Sequence, residues 1–476
     1  MTLFSKPQKL MITILTAVSI LFFSKMPILG AAASETFLRV GLFYSTTSVA
    51  QIRIESAQGF LLMRETEGQL EEIRSLEEYT VLDVSRSGAA VVVKDIQGVL
   101  ISNDLADESV LMSAAEDSDE RFVSVGSTVY RDGVCFNADP TSGLTVINYV
   151  SLEHYLRGVL SREMSPGYPA EALKAQAVSA RSFALENLGK HSRYGFDLCS
   201  NTCCQVYTGV DAEYPQTDEA CLSTLGEVLV YDGKIAAGYY FAYSGGYTQN
   251  SEDVWTSTIG YLRSVQDGFA PDYFWTAQLS FSEIRAKLEA AGYDPGTVLS
   301  VRVGNRLTNG SVAALIVEGS KETVTLSKER VRTALGASTI RSVRFSMGGQ
   351  PEPAIEIDRG QSGIALWSAT GAAAAAETVT LQNASGEASS LPATDLVIWD
   401  GQQLVSTSAL SETQITFTGD IVTGGTVYFK GMGYGHGVGM PQTSAREMAN
   451  QGYGYQDILR YYYTDIEICQ ANECNE

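Results

Sequence analysis

Residues Tyr155 to Lys190 constrain this chain more than any other stretch. They read YLRGVLSREMSPGYPAEALKAQAVSARSFALENLGK, two helical runs separated by Ser165-Pro166-Gly167-Tyr168-Pro169. Pro169 suits a first helical position, where a missing N–H costs nothing, and Glu171 would lie in the first turn, near the positive end of the helix dipole. Leu173, Ala177, Ala180, Ala184 and Leu188 recur at helical spacing. That face is mostly alanine, so a neighbouring element can come close to its backbone. Gly189 is placed to end the helix. Gln176 and Arg181 flank the stripe, where side chains can reach past the packing contact into a cleft. Glu163 is the one carboxylate at the break between the runs.

The chain has 476 residues, 45% hydrophobic and 18% charged, which is globular composition for two to four units. Lys6 and Lys9 precede an apolar run from Leu10 to Phe23, and Ala31-Ala32-Ala33 offers a cleavage site. This is the layout of a secretory signal over 1–33, with an uncleaved anchor as the alternative. Either predicts an extracytoplasmic protein, secreted or anchored through that segment. A net charge of −22 repels nucleic acid and anionic lipid at long range, so nucleic acid is excluded as a partner.

From 34 to 124 the pattern favours strands, as in TFLRVGLFY (Thr36–Tyr44) and AAVVVK (Ala89–Lys94), with the acidic run Glu116–Glu120 read as a solvated linker. This predicts a β-rich accessory unit. A core over 125–347 follows, containing the helical pair. Residues 348–425 turn rich in Gly, Ser, Thr and Ala, which predicts a β-rich insertion. The core resumes at 426–476 with a strand from Thr426, the run GMGYGHGVGMPQ, and helices near Gln442–Ala449 and Tyr455–Tyr463. The expected fold class is α+β: a mixed α/β catalytic core, its helical pair packed on a β-sheet, with the two β-rich additions.

Four places could carry chemistry. Glu163, beside Met164, Pro166 and Tyr168, would have a raised pKa if desolvated and could then donate a proton; an ordinary helix-end glutamate looks the same in sequence. Gly431, Gly433, Gly435, Gly437 and Gly439 occupy alternate positions and cannot satisfy the dinucleotide fingerprint. If extended, they would share one face, approached by a ligand or another segment, with His436 on the other; a structural turn is the alternative. Tyr243-Ser244-Gly245-Gly246, ahead of Trp255, suits sugar binding, although a plain hairpin turn has the same composition. His191 with Cys199, Cys203 and Cys204 fits a closed tetrahedral zinc site, while an extracellular compartment favours disulfides. The seven cysteines leave at least one unpaired; Cys469 and Cys474 read as a disulfide or as thiols. His154 reads as a surface residue.

At LEHYLRGVLSREM, ALKAQAVSARSFAL, FDLCSNTCCQVY, AYSGGYT with EDVW, and GYGHGVGMPQ, the chain resembles the stage II sporulation protein D family, which includes amidase-enhancer-type proteins. The resemblance implies a lytic transglycosylase that cuts peptidoglycan glycan strands to 1,6-anhydro-muramyl ends. Glu163 would be its catalytic acid. Substrate contacts would fall on Gln176, Arg181, Tyr243, Ser244, Gly245, Gly246, His436 and Gln442. It further implies a structural zinc on His191, Cys199, Cys203 and Cys204, with no cofactor needed for catalysis. Cys203 stands where the family usually has histidine, and Pro441 stands where serine is common. The other reading is a non-catalytic glycan-binding module that activates a cell-wall amidase or another wall hydrolase. A zinc hydrolase would require an open metal position.

Overall fold

The computed structural model describes residues 36–66, 69–103, 105–139, 143–349 and 421–473, with short strand pieces between 367 and 405. The expected leader, 1–33, lies outside the described residues, as does most of 348–425. The pieces described there are antiparallel strand pairs, the longest being Thr378–Gln382 with Ala388–Pro392. The fold is α+β.

The organising strand is Gly143–Ser151, sequence GLTVINYVS, buried at every position. Such a strand must be covered on both faces, and it is central in a seven-stranded sheet. Phe37–Phe43 pairs with it antiparallel on one side and Gly133–Asp139 on the other. The short strand Leu198–Cys199 adds in parallel to the outer edge of Phe37–Phe43. Ser109–Ser113, Phe60–Thr66 and Gln69–Leu76 complete the sheet. A second, six-stranded sheet carries Ala90–Asp95 and also pairs Phe122–Val125 with Thr128–Arg131. Both sheets therefore take strands from either side of residue 124. Leu38, Val40 and Val146 share a core with Leu156, Leu160 and Ala177 from the helical pair.

The central strand runs straight into helix α1, Leu152–Glu163. Ser151 is its N-cap and its Oγ accepts from His154 N at 3.4 Å. The helix stops at Glu163, where Met164 turns extended two residues ahead of Pro166. Helix α2, Ala170–Glu186, starts after Pro169, which is the cap rather than the first helical residue.

Helix α2 is buried on more than the expected stripe. Leu173, Ala177, Ala180 and Ala184 face the first core. Ala175 and Val178 face another, with Val438, Met440, Ala445, Ile458 and Tyr462 from the C-terminal segment. A helix wedged between two cores needs small side chains on both faces, which accounts for its alanines. Leu188 lies beyond the helix end and is exposed, and Gly189, at φ 74°, sits in the turn after it.

A third core gathers around the helix Phe281–Ala290 and the strand pair Val298–Arg306 and Val312–Gly319. Here the strand Thr426–Met432 is flanked by Phe274–Ser280 and Phe345–Gly348. The chain then enters the glycine-histidine segment and the helices Gln442–Asn450 and Tyr455–Tyr462.

Candidate active site at the helix junction

Glu163 ends α1 with its side chain half-buried. Its Oε1 accepts the main-chain N–H of Val206 at 3.0 Å, and among the described residues Oε2 has no partner. Burial pushes the carboxyl above the usual glutamate range, and the Val206 hydrogen bond opposes that shift. No neighbouring charge is among the causes. This is the environment of a carboxylic acid that keeps its proton to higher pH than an exposed glutamate, with one oxygen anchored and the other unpartnered.

The C-terminal segment closes on this junction. Gln442, the first residue of the helix Gln442–Asn450, donates through Nε2 to the main-chain oxygen of Glu163 at 2.8 Å. The same nitrogen lies 3.5 Å from Oε1 of Gln176. Gln176 is fully buried, and its Nε2 has no partner among the described residues. Thr443, next in sequence, donates from N and Oγ1 to the carbonyl of Ala242 at 3.2 and 2.8 Å. That contact sets Tyr243 beside the junction. The Tyr243 ring stacks on Tyr273 with centroids 4.2 Å apart, and Tyr273 lies 6.1 Å from the ring of Tyr434, nearly parallel. Arg341 sits over the last two rings and donates to the Tyr273 hydroxyl at 2.6 Å. On the helix, Arg446 lies over the Tyr168 ring at 5.2 Å. Tyr243, Tyr273 and Tyr434 thus form an aromatic strip, a surface on which sugar rings can stack.

Several expected substrate contacts have other work. Arg181 does not reach a cleft: it is fully buried and every donor is taken. Its fork binds both oxygens of Glu153 at 2.7 and 2.8 Å. Its remaining N–H groups go to the carbonyls of Glu227 and Cys221 and to Thr224 Oγ1. It ties α2 to α1 and to the chain after the helix Pro215–Ser223.

Ser244 is also buried, and its Oγ donates to Asp267 Oδ2 at 2.5 Å. Asp267 further accepts from Ser444 Oγ, Tyr462 Oη and Phe269 N. The serine is therefore one arm of a buried carboxylate clamp, and no local pattern pointed to Asp267. Gly245 packs against the main chain of Met432 and Gly433, where a Cβ would not fit. Gly246 donates its N–H to Ser244 Oγ and accepts from Asp267 N, leaving no amide for a ligand.

The glycine-histidine segment is not extended. Gly433, Gly435, Gly437 and Gly439 all have positive φ, so the chain coils. A Cβ on Gly439 would strike the Tyr239 oxygen. The approaching segment is thus the protein's own, Tyr239–Tyr243. His436 Nε2 donates to the carbonyl of Tyr240 at 3.1 Å, and Nδ1 accepts Val438 N at 3.1 Å. Both nitrogens are committed, so His436 braces the main chain and offers nothing to a substrate. Burial, helped by the charge of Arg332, lowers its pKa to about 4 and keeps it neutral.

His154 is buried rather than on the surface. Nδ1 meets Asp132 Oδ2 at 2.9 Å and Nε2 meets Asp119 Oδ1 at 3.3 Å. Asp119 belongs to the acidic run expected to be a solvated linker, and it also accepts Arg157 Nη1 at 2.9 Å.

His191, Cys199, Cys203 and Cys204 do come together, all four donor atoms lying within 4.8 Å of one another. Nε2 of His191 is 3.7 and 3.4 Å from the sulfurs of Cys203 and Cys204. The three cysteines are thiols. Ligands on a tetrahedral zinc with bonds of about 2.3 Å stand roughly 4 Å apart, so this donor set fits the ion. Four protein ligands leave no open position for metal chemistry. Cys474 lies outside the described residues.

The fold and this junction define an α+β protein in which a half-buried glutamate at a helix end is held by Val206 and by Gln442 from distant parts of the chain. Residues 140–231, which hold Glu163 and the thiol loop, match the family described as Stage II sporulation protein. Stage II sporulation protein D of Bacillus amyloliquefaciens is 27% identical over 352 residues, covering 70% of this chain and 78% of that one. An uncharacterized protein of Brachyspira hyodysenteriae is 28% identical, covering 70% of each. The Amidase enhancer of Bacillus subtilis is 28% identical over 65% of this chain, which spans 39% of that longer protein. Over these stretches the chain is similar to the stage II sporulation protein D family.

Proposed function

We propose that the protein is a lytic transglycosylase of peptidoglycan, acting outside the cytoplasm in cell-wall remodelling, sporulation included. The observation that carries this reading is the Glu163 carboxyl: half-buried, anchored at one oxygen, unpartnered at the other, with no neighbouring charge among the causes of its shift. Ordinary glycoside hydrolysis uses two carboxyl groups, one of them to activate water or to attack. A single acid suffices when the nucleophile belongs to the substrate.

Protonated Glu163 gives its Oε2 proton to the glycosidic oxygen as the bond to the anomeric carbon breaks. The C6 hydroxyl of the same muramic sugar attacks that carbon, and its proton returns to Glu163. The products are a free hydroxyl end and a 1,6-anhydro end, with no water consumed and the acid restored. Intramolecular attack provides a high effective concentration without a bound water. Tyr243 and its stacked neighbours would hold the strand, and Gln442 would hold the acid's backbone.

A zinc ion on His191, Cys199, Cys203 and Cys204 would be structural, fixing the loop that supplies Val206 N–H. Among the described residues no helix is long and apolar enough to cross a membrane. The test is digestion of glycan strands lacking stem peptides with mass analysis. Anhydro ends, lighter by one water than hydrolysis products and absent with Glu163→Gln, support the reading.

The name of one relative, Amidase enhancer, favours a second reading in which the protein binds glycan and activates a wall amidase. Binding of intact strands by wild type without products, together with faster amidase turnover, would select it.

A further inference from the structure

Gln205 follows the cysteine trio and is buried, with its amide engaged at both ends. The Tyr155 hydroxyl donates to its Oε1 at 3.2 Å. Its Nε2 donates to the Tyr240 hydroxyl at 3.0 Å and lies 3.4 Å from the carbonyl of Ala180. A carbonyl can only accept, so Ala180 fixes which end of the amide faces Tyr240. The Tyr240 oxygen thus receives a proton from Gln205, and its own proton must point elsewhere. Among the described residues that proton meets no acceptor.

The ring is held as firmly as the hydroxyl. His436 donates to the Tyr240 carbonyl, and Tyr240 pairs in parallel with Met440. Glu163 is close enough for its charge to act on the phenol, which burial already holds well above its ordinary range. No hydrogen bond joins the two side chains, so the phenol proton is not spent on the acid. Val206, next after Gln205, holds the other oxygen of that acid.

We propose that Tyr240 is a second substrate-facing group of this site, its hydroxyl donating a hydrogen bond to a sugar oxygen beside the bond that Glu163 protonates, and that Gln205 is the positioning residue that aims it. The substrate class rests on the glycan reading above. Tyr240 gives up no proton in the reaction; it orients the sugar and keeps its hydrogen throughout.

Two readouts test this: turnover of peptide-free glycan strands by otherwise wild-type protein, and calorimetric binding of a glycan oligosaccharide in a Glu163→Gln background. Tyr240→Phe deletes one oxygen and leaves the ring packing. It is expected to lower kcat/KM about 10- to 100-fold and to weaken binding several-fold, with an unchanged unfolding midpoint. Gln205→Leu should reproduce the binding loss, and the double variant should be no worse than Tyr240→Phe alone. Wild-type turnover and binding in Tyr240→Phe, or losses that simply add, would overturn the proposal. If oligosaccharide binds but wild type yields no anhydro ends, the cleavage reading fails while the Tyr240→Phe binding ratio still decides this one. Absence of any oligosaccharide binding overturns both.

Discussion

The side-chain amide of Gln442 donates to the main-chain oxygen of Glu163 at 2.8 Å across 279 positions of sequence. The proposed acid is therefore positioned from three directions: the central strand that feeds α1, the loop that brings Val206, and the far end of the chain. Gln442→Ala should leave the strand network intact but loosen the end of α1. The expected result is a kcat about tenfold lower with a small change in KM, read by initial rates on glycan strands.

Glu163→Gln is expected to lower turnover about 10²- to 10⁴-fold, the usual range for losing a general acid. The acid form is the active one, and its pKa lies above the ordinary value of 4.5. Activity should therefore fall as pH rises through that raised pKa. Removing the Val206 N–H, which holds the pKa down, should move this limb to higher pH. Rate–pH profiles of wild type and Val206→Pro check the direction.

The same shift has a stability signature. A carboxyl whose pKa is higher folded than unfolded favours the folded state while protonated. That contribution is full below the unfolded value and is lost as pH rises through the folded one. Glu163→Gln, which stays neutral, should thus raise the unfolding midpoint at neutral pH and change it little near pH 4. Thermal scans at the two pH values test this.

Arg181 and Glu153 make the opposite trade. Glu153→Ala leaves a fully buried guanidinium without its counter-charge, a loss of about 3–5 kcal/mol when such a pair is broken. The expected outcome is a lower urea midpoint, with residual folded protein retaining glycan binding because neither residue belongs to the proposed site.

Chelation of zinc from metal-loaded protein should lower the thermal midpoint and expose thiols to a colorimetric reagent. Cys203→His should retain the ion, because imidazole and thiolate both suit a closed site. Activity lost at once on chelation, with the fold intact, would instead place the metal in the reaction.

Much of this was legible in the residues. The break between the helical runs and the strand at Thr426 stand where hydrophobic spacing and proline chemistry put them. Glu163 and Gln442, singled out by the resemblance as acid and substrate contact, are joined by a hydrogen bond in the fold. Three readings failed for one reason: a polar side chain can point inward when a partner waits there. Arg181, Ser244 and His154 each met a carboxylate, Glu153, Asp267 and Asp132, from a distant part of the chain. No local pattern announces such pairs. The alternating glycines gave the close approach correctly but not the coil, because period alone does not fix the sign of φ.

The strands that bracket residues 349–425 lie side by side, with Gly348 paired to Tyr428. Departure and return points are already clasped by a ladder of hydrogen bonds. Each doubling of an excursion hung from such a clasp costs only about 0.6 kcal/mol in closure entropy. The scaffold can therefore carry inserted sequence at this point while the Glu163–Gln442 contact keeps its geometry.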